Sequence, residues 1–174
     1  MFSWDKISFR LGKMTTTYMS NAIQTLQSSI LSILRADTTS LTIAYADGTT
    51  GTIKLSADVK ILDGIPVDML KGIGFPYIIV HTPEESTERL TFSKHKTEFT
   101  VHIEILDRRE SNVRILSDEV KNALDSNQNT TKGSGYTLFG RRIRTNINSV
   151  SLPNEEKMKP IWHMNMFFTY LWSG

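Results

Sequence analysis

The sequence predicts an α+β fold: a mostly antiparallel sheet with two helices packed on one face, plus an extra β-hairpin, in a single domain over residues 1–174. Three observations carry this. Two segments repeat apolar residues at helical spacing, several others alternate apolar and polar residues, and an Asp-Gly dipeptide separates two of the alternating runs.

The first helix is expected from about Thr16 to Arg35. Met19, Ile23, Leu26, Ile30, Ile33 and Leu34 recur mostly at three- and four-residue steps, which places them on one stripe. Thr15, Thr16 and Thr17 offer capping hydroxyls, and Asp37 with the threonines after it marks the end. The opposite face carries Ser20, Asn21, Gln24, Gln27 and Ser28 and is almost uncharged. Such a face gives up its water at less cost than one of Lys and Glu, so it suits either solvent or a partner.

Residues 41–62 read as a hairpin, either an insertion on a simpler core or a small extra sheet edge. Leu41, Ile43 and Tyr45 alternate, Asp47-Gly48 supplies the tight turn, and Ile53 and Leu55 resume the pattern, with Val59, Ile61 and Leu62 extending or following it. Asp63-Gly64 breaks the alternation, and Pro66 and Gly72 keep the next stretch loop-like.

Tyr77-Ile78-Ile79-Val80-His81 is a short, nearly continuous apolar run, as expected of a strand covered on both faces. Glu88 to Phe92 reads as a weaker strand. Thr97 to Leu106 is a third, with Phe99, Val101, Ile103 and Ile105 on one face and Thr100, His102 and Glu104 on the other. A second helix begins at Ser111, burying Val113, Leu116, Val120 and Leu124. Ser126 to Gly135 contains no apolar residue and reads as a polar loop. Two strands close the chain, Arg142 to Val150 and Ile161 to Trp172, joined by a charged turn from Pro153 to Pro160. The last strand places Trp162, Met164, Met166, Phe168, Tyr170 and Trp172 on one face, which is either core or subunit contact.

Composition narrows the function. The 174 residues are 39% hydrophobic and 22% charged, ordinary for a globular domain. The absence of cysteine excludes disulfides, thiolate metal sites and cysteine nucleophiles. A net charge of +2 is too small to drive nonspecific attachment to DNA or membrane. From Asn127 onward, however, six basic residues stand against two acidic ones, a surplus of +4 that leaves about −2 on the rest. No apolar run approaches the roughly 20 residues of a membrane span, and the N-terminus lacks a signal pattern. The expectation is a protein that stays in the cell that makes it, or leaves by assembly or lysis.

Catalytic patterns are not visible. His81, His95, His102 and His163 are scattered along the chain without metal-ligand spacing, and no P-loop, G-x-G-x-x-G or nucleophile elbow occurs. His102 and Glu104 share a strand face and can pair. Gly72-Ile73-Gly74 precedes a strand, where it cannot cradle a phosphate. The pairs Glu84-Glu85 and Glu155-Glu156 fall in polar turns, away from the apolar pocket a general acid needs. No catalytic residue, metal ligand or cofactor is expected. The basic cluster Arg141, Arg142 and Arg144, with Lys132, Tyr136 and Phe139 nearby, is the candidate partner-binding surface. Arginine interleaved with aromatics fits a solvated strand start, a protein interface or weak, salt-labile nucleic-acid binding.

Phe75-Pro76-Tyr77-Ile78-Ile79-Val80 follows an amphipathic N-terminal helix and leads into strand, strand, helix, polar loop and two long strands. That series resembles the tail terminator (tail completion) proteins of long-tailed bacteriophages, over Met14 to Arg35 and Pro66 to Trp172. The Asp37–Gly64 stretch departs from the shortest family members. The resemblance implies a structural virion protein, not an enzyme. Copies would form a ring, usually hexameric, that caps the tail tube, ends its elongation and joins it to the head or neck. Its partners would be itself, the tail-tube protein and a head or neck connector, with no membrane, and with DNA at most passing through the ring. Its place would be the virion tail or neck, after assembly in the host cytoplasm. Another head–tail connector is the nearest alternative; a small α+β enzyme and a nucleic-acid module are the others.

Overall fold

The computed structural model describes residues 5–45, 47–64, 75–89, 95–143, 148–150 and 161–172. The chain opens with one long helix, α1 (Asp5–Ala36), which starts well before the expected Thr16. Leu26, Ile30 and Leu34 are fully buried at four-residue steps, and Ala22, Leu31 and Ile33 widen the stripe. Each such aliphatic side chain contributes about 1.5–3 kcal/mol when taken out of water.

The hairpin comprises β1 (Ser40–Ala44) and β2 (Thr50–Lys54), paired antiparallel as a two-stranded sheet of its own. Gly48 at its turn has φ +91°, a conformation that side-chain-bearing residues rarely adopt. Gly51 lies under the Tyr45 ring, where a Cβ would sit 2.4 Å from a ring carbon. The hairpin ends at Lys54, short of the expected residue 62. Leu55, fully buried, starts a single helical turn, α2 (Leu55–Asp58), and breaks the alternation. The chain then enters the main sheet as β3 (Lys60–Asp63).

The main sheet also contains β4 (Tyr77–Val80), β5 (Glu84–Arg89), β6 (His95–Asp107), β7 (Tyr136–Ile143), β8 (Asn148–Val150) and β9 (Ile161–Trp172). Its order is β3-β4-β6-β9-β7; β5 continues the β4 side of β6, and β8 continues the β7 side of β9. Every pairing is antiparallel except β3 with β4. The α+β fold expected from the sequence is thus the one observed. The strand expected at Glu88–Phe92 begins at Glu84, and residues 90–94 lie outside the described ones. The strand expected from Arg142 begins at Tyr136. Gly72-Ile73-Gly74 and the Pro153–Pro160 turn also lie outside the described residues.

Helix α3 (Glu110–Ser126) buries Val113, Leu116, Val120 and Leu124, as its spacing predicts. The expected polar loop after it is instead a short helix, α4 (Gln128–Gly133). Its tract folds without apolar residues because its own side chains satisfy the backbone. Asn127 Nδ2 donates to the Ala123 carbonyl (2.8 Å), and the Thr131 hydroxyl, buried, donates to that of Gln128 (2.9 Å).

Both long helices pack on one face of the sheet, against Ile78, Val80, Phe99, Val101, Ile103, Ile105, Met166 and Phe168. Polar clasps complete the packing. Gln27, expected on the solvated face of α1, is buried and donates to Asp63 Oδ1 and the Val80 carbonyl. Arg35 Nη2 donates to the Ile61 carbonyl (3.0 Å) on edge strand β3. Asn112 of α3 holds the hairpin: its Oδ1 accepts from the Ala44 N–H (3.0 Å), while its Nδ2 donates to the Ala44 carbonyl (2.8 Å) and to Asp107 Oδ1 (2.9 Å).

Asn112 is 2% exposed, so truncation strands its partners away from water. An Asn112→Ala variant is expected to lose about 1–3 kcal/mol of stability, read by urea unfolding. The hairpin amides should lose protection from hydrogen exchange first.

Candidate functional site

Strand alternation divides the sheet into two unlike faces. On β9, Met164, Met166, Phe168 and Tyr170 are buried toward the helices, with Trp162 and Trp172 partly buried at the ends of the same row. The aromatic row that the sequence left open between core and contact is therefore core. The opposite row, Ile161, His163, Asn165, Phe167, Thr169 and Leu171, faces away from the helices. Apart from buried Ile161, its members are half-buried. One end of this second face is apolar, where Tyr77, Ile79, Leu106 and Ile161 cluster with Leu62 and Phe75.

The middle of that face holds a histidine–carboxylate cluster. His102 and Glu104 project from β6 and stand opposite Phe167 and Asn165 of β9. His81, just past β4, is set beside them by its backbone N–H, which donates to the His102 carbonyl (2.9 Å). His163 stands opposite Leu106, one step along β9 from the Glu104–Asn165 pair. Around the Glu104 carboxylate, His81 Nε2 lies 3.4 Å and His102 Nε2 3.7 Å from Oε1, and His163 Nε2 3.8 Å from Oε2. The His102 ring is sandwiched between the His81 ring (centroids 4.5 Å, 9° apart) and the Phe167 ring (4.6 Å, 7°). His102 Nε2 also meets Asn165 Oδ1 at 2.7 Å.

His163 is the largest influence on Glu104, and with the nearby His81 and His102 it holds the carboxyl below its ordinary value, outweighing the opposing effect of burial. The histidines come from a strand end, a strand and a second strand, 21, 61 and 82 residues apart, so no local spacing could display them. The available signal was parity: His102 and Glu104 share the polar row of β6, and His163 lies on the row of β9 opposite Met164.

The predicted partner-binding residues separate. Tyr136 is a correction: it is 1% exposed, its ring meets Phe99 edge-on, and its hydroxyl donates to the Ala22 carbonyl (2.6 Å), so it ties β7 to α1. Phe139 is 64% exposed at the bulge between Leu138 and Gly140. Its ring lies 5.1 Å from Lys96 Nζ on β6, two strands away, and so reaches across the open face. Lys132 is exposed on α4. Arg141 and Arg142 belong to β7, paired with Phe168 and Phe167, while Arg144 lies outside the described residues.

A second polar region lies where α1, α3 and α4 meet. Burial, reinforced by the neighbouring Asp37 carboxyl, pushes the Glu119 carboxyl up. A groove there is lined by Ser32, Thr39, Asn122 and Thr130 beside that carboxyl pair. No helix among the described residues is long and apolar enough to cross a membrane.

Because Glu104 titrates below 4.5, its contribution to stability is present above that pH and lost as pH falls through the lowered folded value. A Glu104→Gln variant should therefore unfold at lower temperature than the wild type at about pH 5.5. The difference should narrow as the pH is taken below the ordinary carboxylate range, as thermal scans at successively lower pH will read. Comparison with protein-family models and with curated proteins finds no match to this chain, leaving its geometry as the basis for a functional reading.

Proposed function

We propose that the chain is a structural virion assembly protein whose copies close into a ring that caps a phage tail tube, ends its elongation and joins it to the head or neck. One observation carries the reading. Among the described residues no helix covers the sheet face opposite α1 and α3, and beside its Glu104–histidine cluster the β9 residues Asn165, Phe167, Thr169 and Leu171 are half-buried and uncharged. Phe167, Asn165, Thr169 and Leu171 present a mixed apolar and neutral polar surface of the kind that loses its water cheaply against another protein. Phe139 adds an exposed aromatic on β7, which pairs only with β9 among the described residues. Aromatic side chains in such positions commonly dominate binding energy. The order of elements, an N-terminal helix followed by a largely antiparallel sheet with a second helix inserted before the last strands, supports the reading, with helix α4 where the resembling series has a polar loop.

A ring needs a contact in which one surface meets a different one and the rotation closes. The open sheet face and the β7 side are two unlike surfaces on one chain, which suits such a contact. Lys132, Arg141, Arg142 and Arg144 would then serve the tube or neck side by pairing with acidic groups there.

Light scattering on the purified protein is expected to give a multiple of 19.8 kDa, six for the implied ring, with annuli in negative stain. Phe139→Asp is expected to reduce the mass to that of one chain. Its melting point should hardly change, since exposed substitutions usually shift stability by no more than about 0.5 kcal/mol. A wild-type monomer at tens of micromolar, also unable to halt assembly of its tail-tube protein, would overturn the proposal.

A further inference from the structure

The cluster around Glu104 has the composition and spacing of a metal site. We infer that His81, His102 and Glu104 bind a divalent transition-metal ion of the zinc class, with His163 as the residue that orients the carboxylate. The inference does not depend on the ring reading, because one chain supplies every ligand.

The distances carry the argument. Ligands about 2.0–2.1 Å from a tetrahedral ion stand about 3.4 Å from one another. His81 Nε2 and His102 Nε2 lie 3.4 and 3.7 Å from the same oxygen, Glu104 Oε1. One ring nitrogen of each histidine and a carboxylate oxygen all fall within 4.8 Å of one another. The histidine pair thus has at most about 1.4 Å to close, within reach of side-chain rotation. His81 Nε2 is also buried without a hydrogen-bond partner, an arrangement that costs free energy unless a ligand satisfies the lone pair.

The remaining contacts fit the same site. His163 approaches the other carboxylate oxygen, Oε2, and leaves Oε1 facing the two imidazoles. Such outer contacts fix the orientation of a ligating group and raise affinity. Asn165 Oδ1, 2.7 Å from His102 Nε2, is placed to accept a hydrogen bond from the His102 N–H without metal, and to stand at the rim as an oxygen ligand when the nitrogen turns to the ion. Two imidazoles and one carboxylate favour zinc, cobalt, nickel or copper over magnesium or calcium, which prefer an all-oxygen shell. The His81 and His102 rings stack nearly parallel, so one imidazole turns out of the stack for both in-plane lone pairs to reach one ion, while Phe167 backs the other side of the His102 ring.

The test uses the full chain, treated with chelator and dialysed. Calorimetric titration with Zn2+ at pH 7.5 should show one saturable site per chain, with magnesium giving none. Affinity should fall as pH is lowered to 5.5, because protons compete for the imidazoles. His102→Ala and Glu104→Gln should abolish binding, and His163→Ala should weaken it by about 10–100-fold. Should a variant fail to fold, the wild type still decides. Zn2+ should shift the imidazole NMR signals of His81, His102 and His163 and leave His95, about 23 Å along β6, unmoved. No saturable binding, equal binding by magnesium, binding that survives both substitutions, or uniform perturbation of all four histidines would each overturn the inference.

Discussion

Pairing between β6 and β9 runs unbroken from Thr97–Trp172 to Asp107–Trp162, and it fixes which face every side chain of the central sheet takes. A slip of one residue would exchange the two rows, placing Met166 and Phe168 in water and His163 and Asn165 against the helices. The core excludes that slip. Phe99, Val101, Ile103 and Ile105 on one strand and the methionine–aromatic row on the other have a single arrangement in which all of them meet α1 and α3. The histidine cluster is a consequence of the same register, since His102, Glu104 and His163 are the residues left over on the far side.

Where the sequence was legible, a periodicity long enough to be unambiguous lay behind it. The stripe of α3, the alternation of β6 and the long run of β9 were readable because burial repeats over three or more turns or pairs. Short elements were not readable in this way. The single turn of α2 depends on one buried leucine, and β3 joins the main sheet through a parallel pairing with β4 that local pattern does not encode. Helix α4 escaped because it is stabilised by side chains of Asn and Thr bonding to nearby carbonyls, the chemistry that also makes loops.

The site was harder still. Tyr136 stood among arginines and a polar tract in the sequence, but its hydroxyl has a buried carbonyl to reach and its ring has Phe99 beside it. Phe139, three residues on, stands on the opposite face, at the bulge. Both are aromatics on one strand, and their odd spacing of three residues gives them opposite faces and opposite fates. The glutamate at position 104 shows the same limit: its environment is assembled from strands whose order in space differs from their order in the chain.

The two flanks of the sheet are finished differently. On one, the Arg35 guanidinium caps a carbonyl of β3 and thereby blunts a template for adding strands. On the other, β7 shows no such cover among the described residues. Self-pairing through that rim would relate two molecules by a dyad and stop there, satisfied at two. Any cyclic ring of three or more copies must therefore marry dissimilar surfaces, and the arginine clasp on β3 removes one edge from self-pairing.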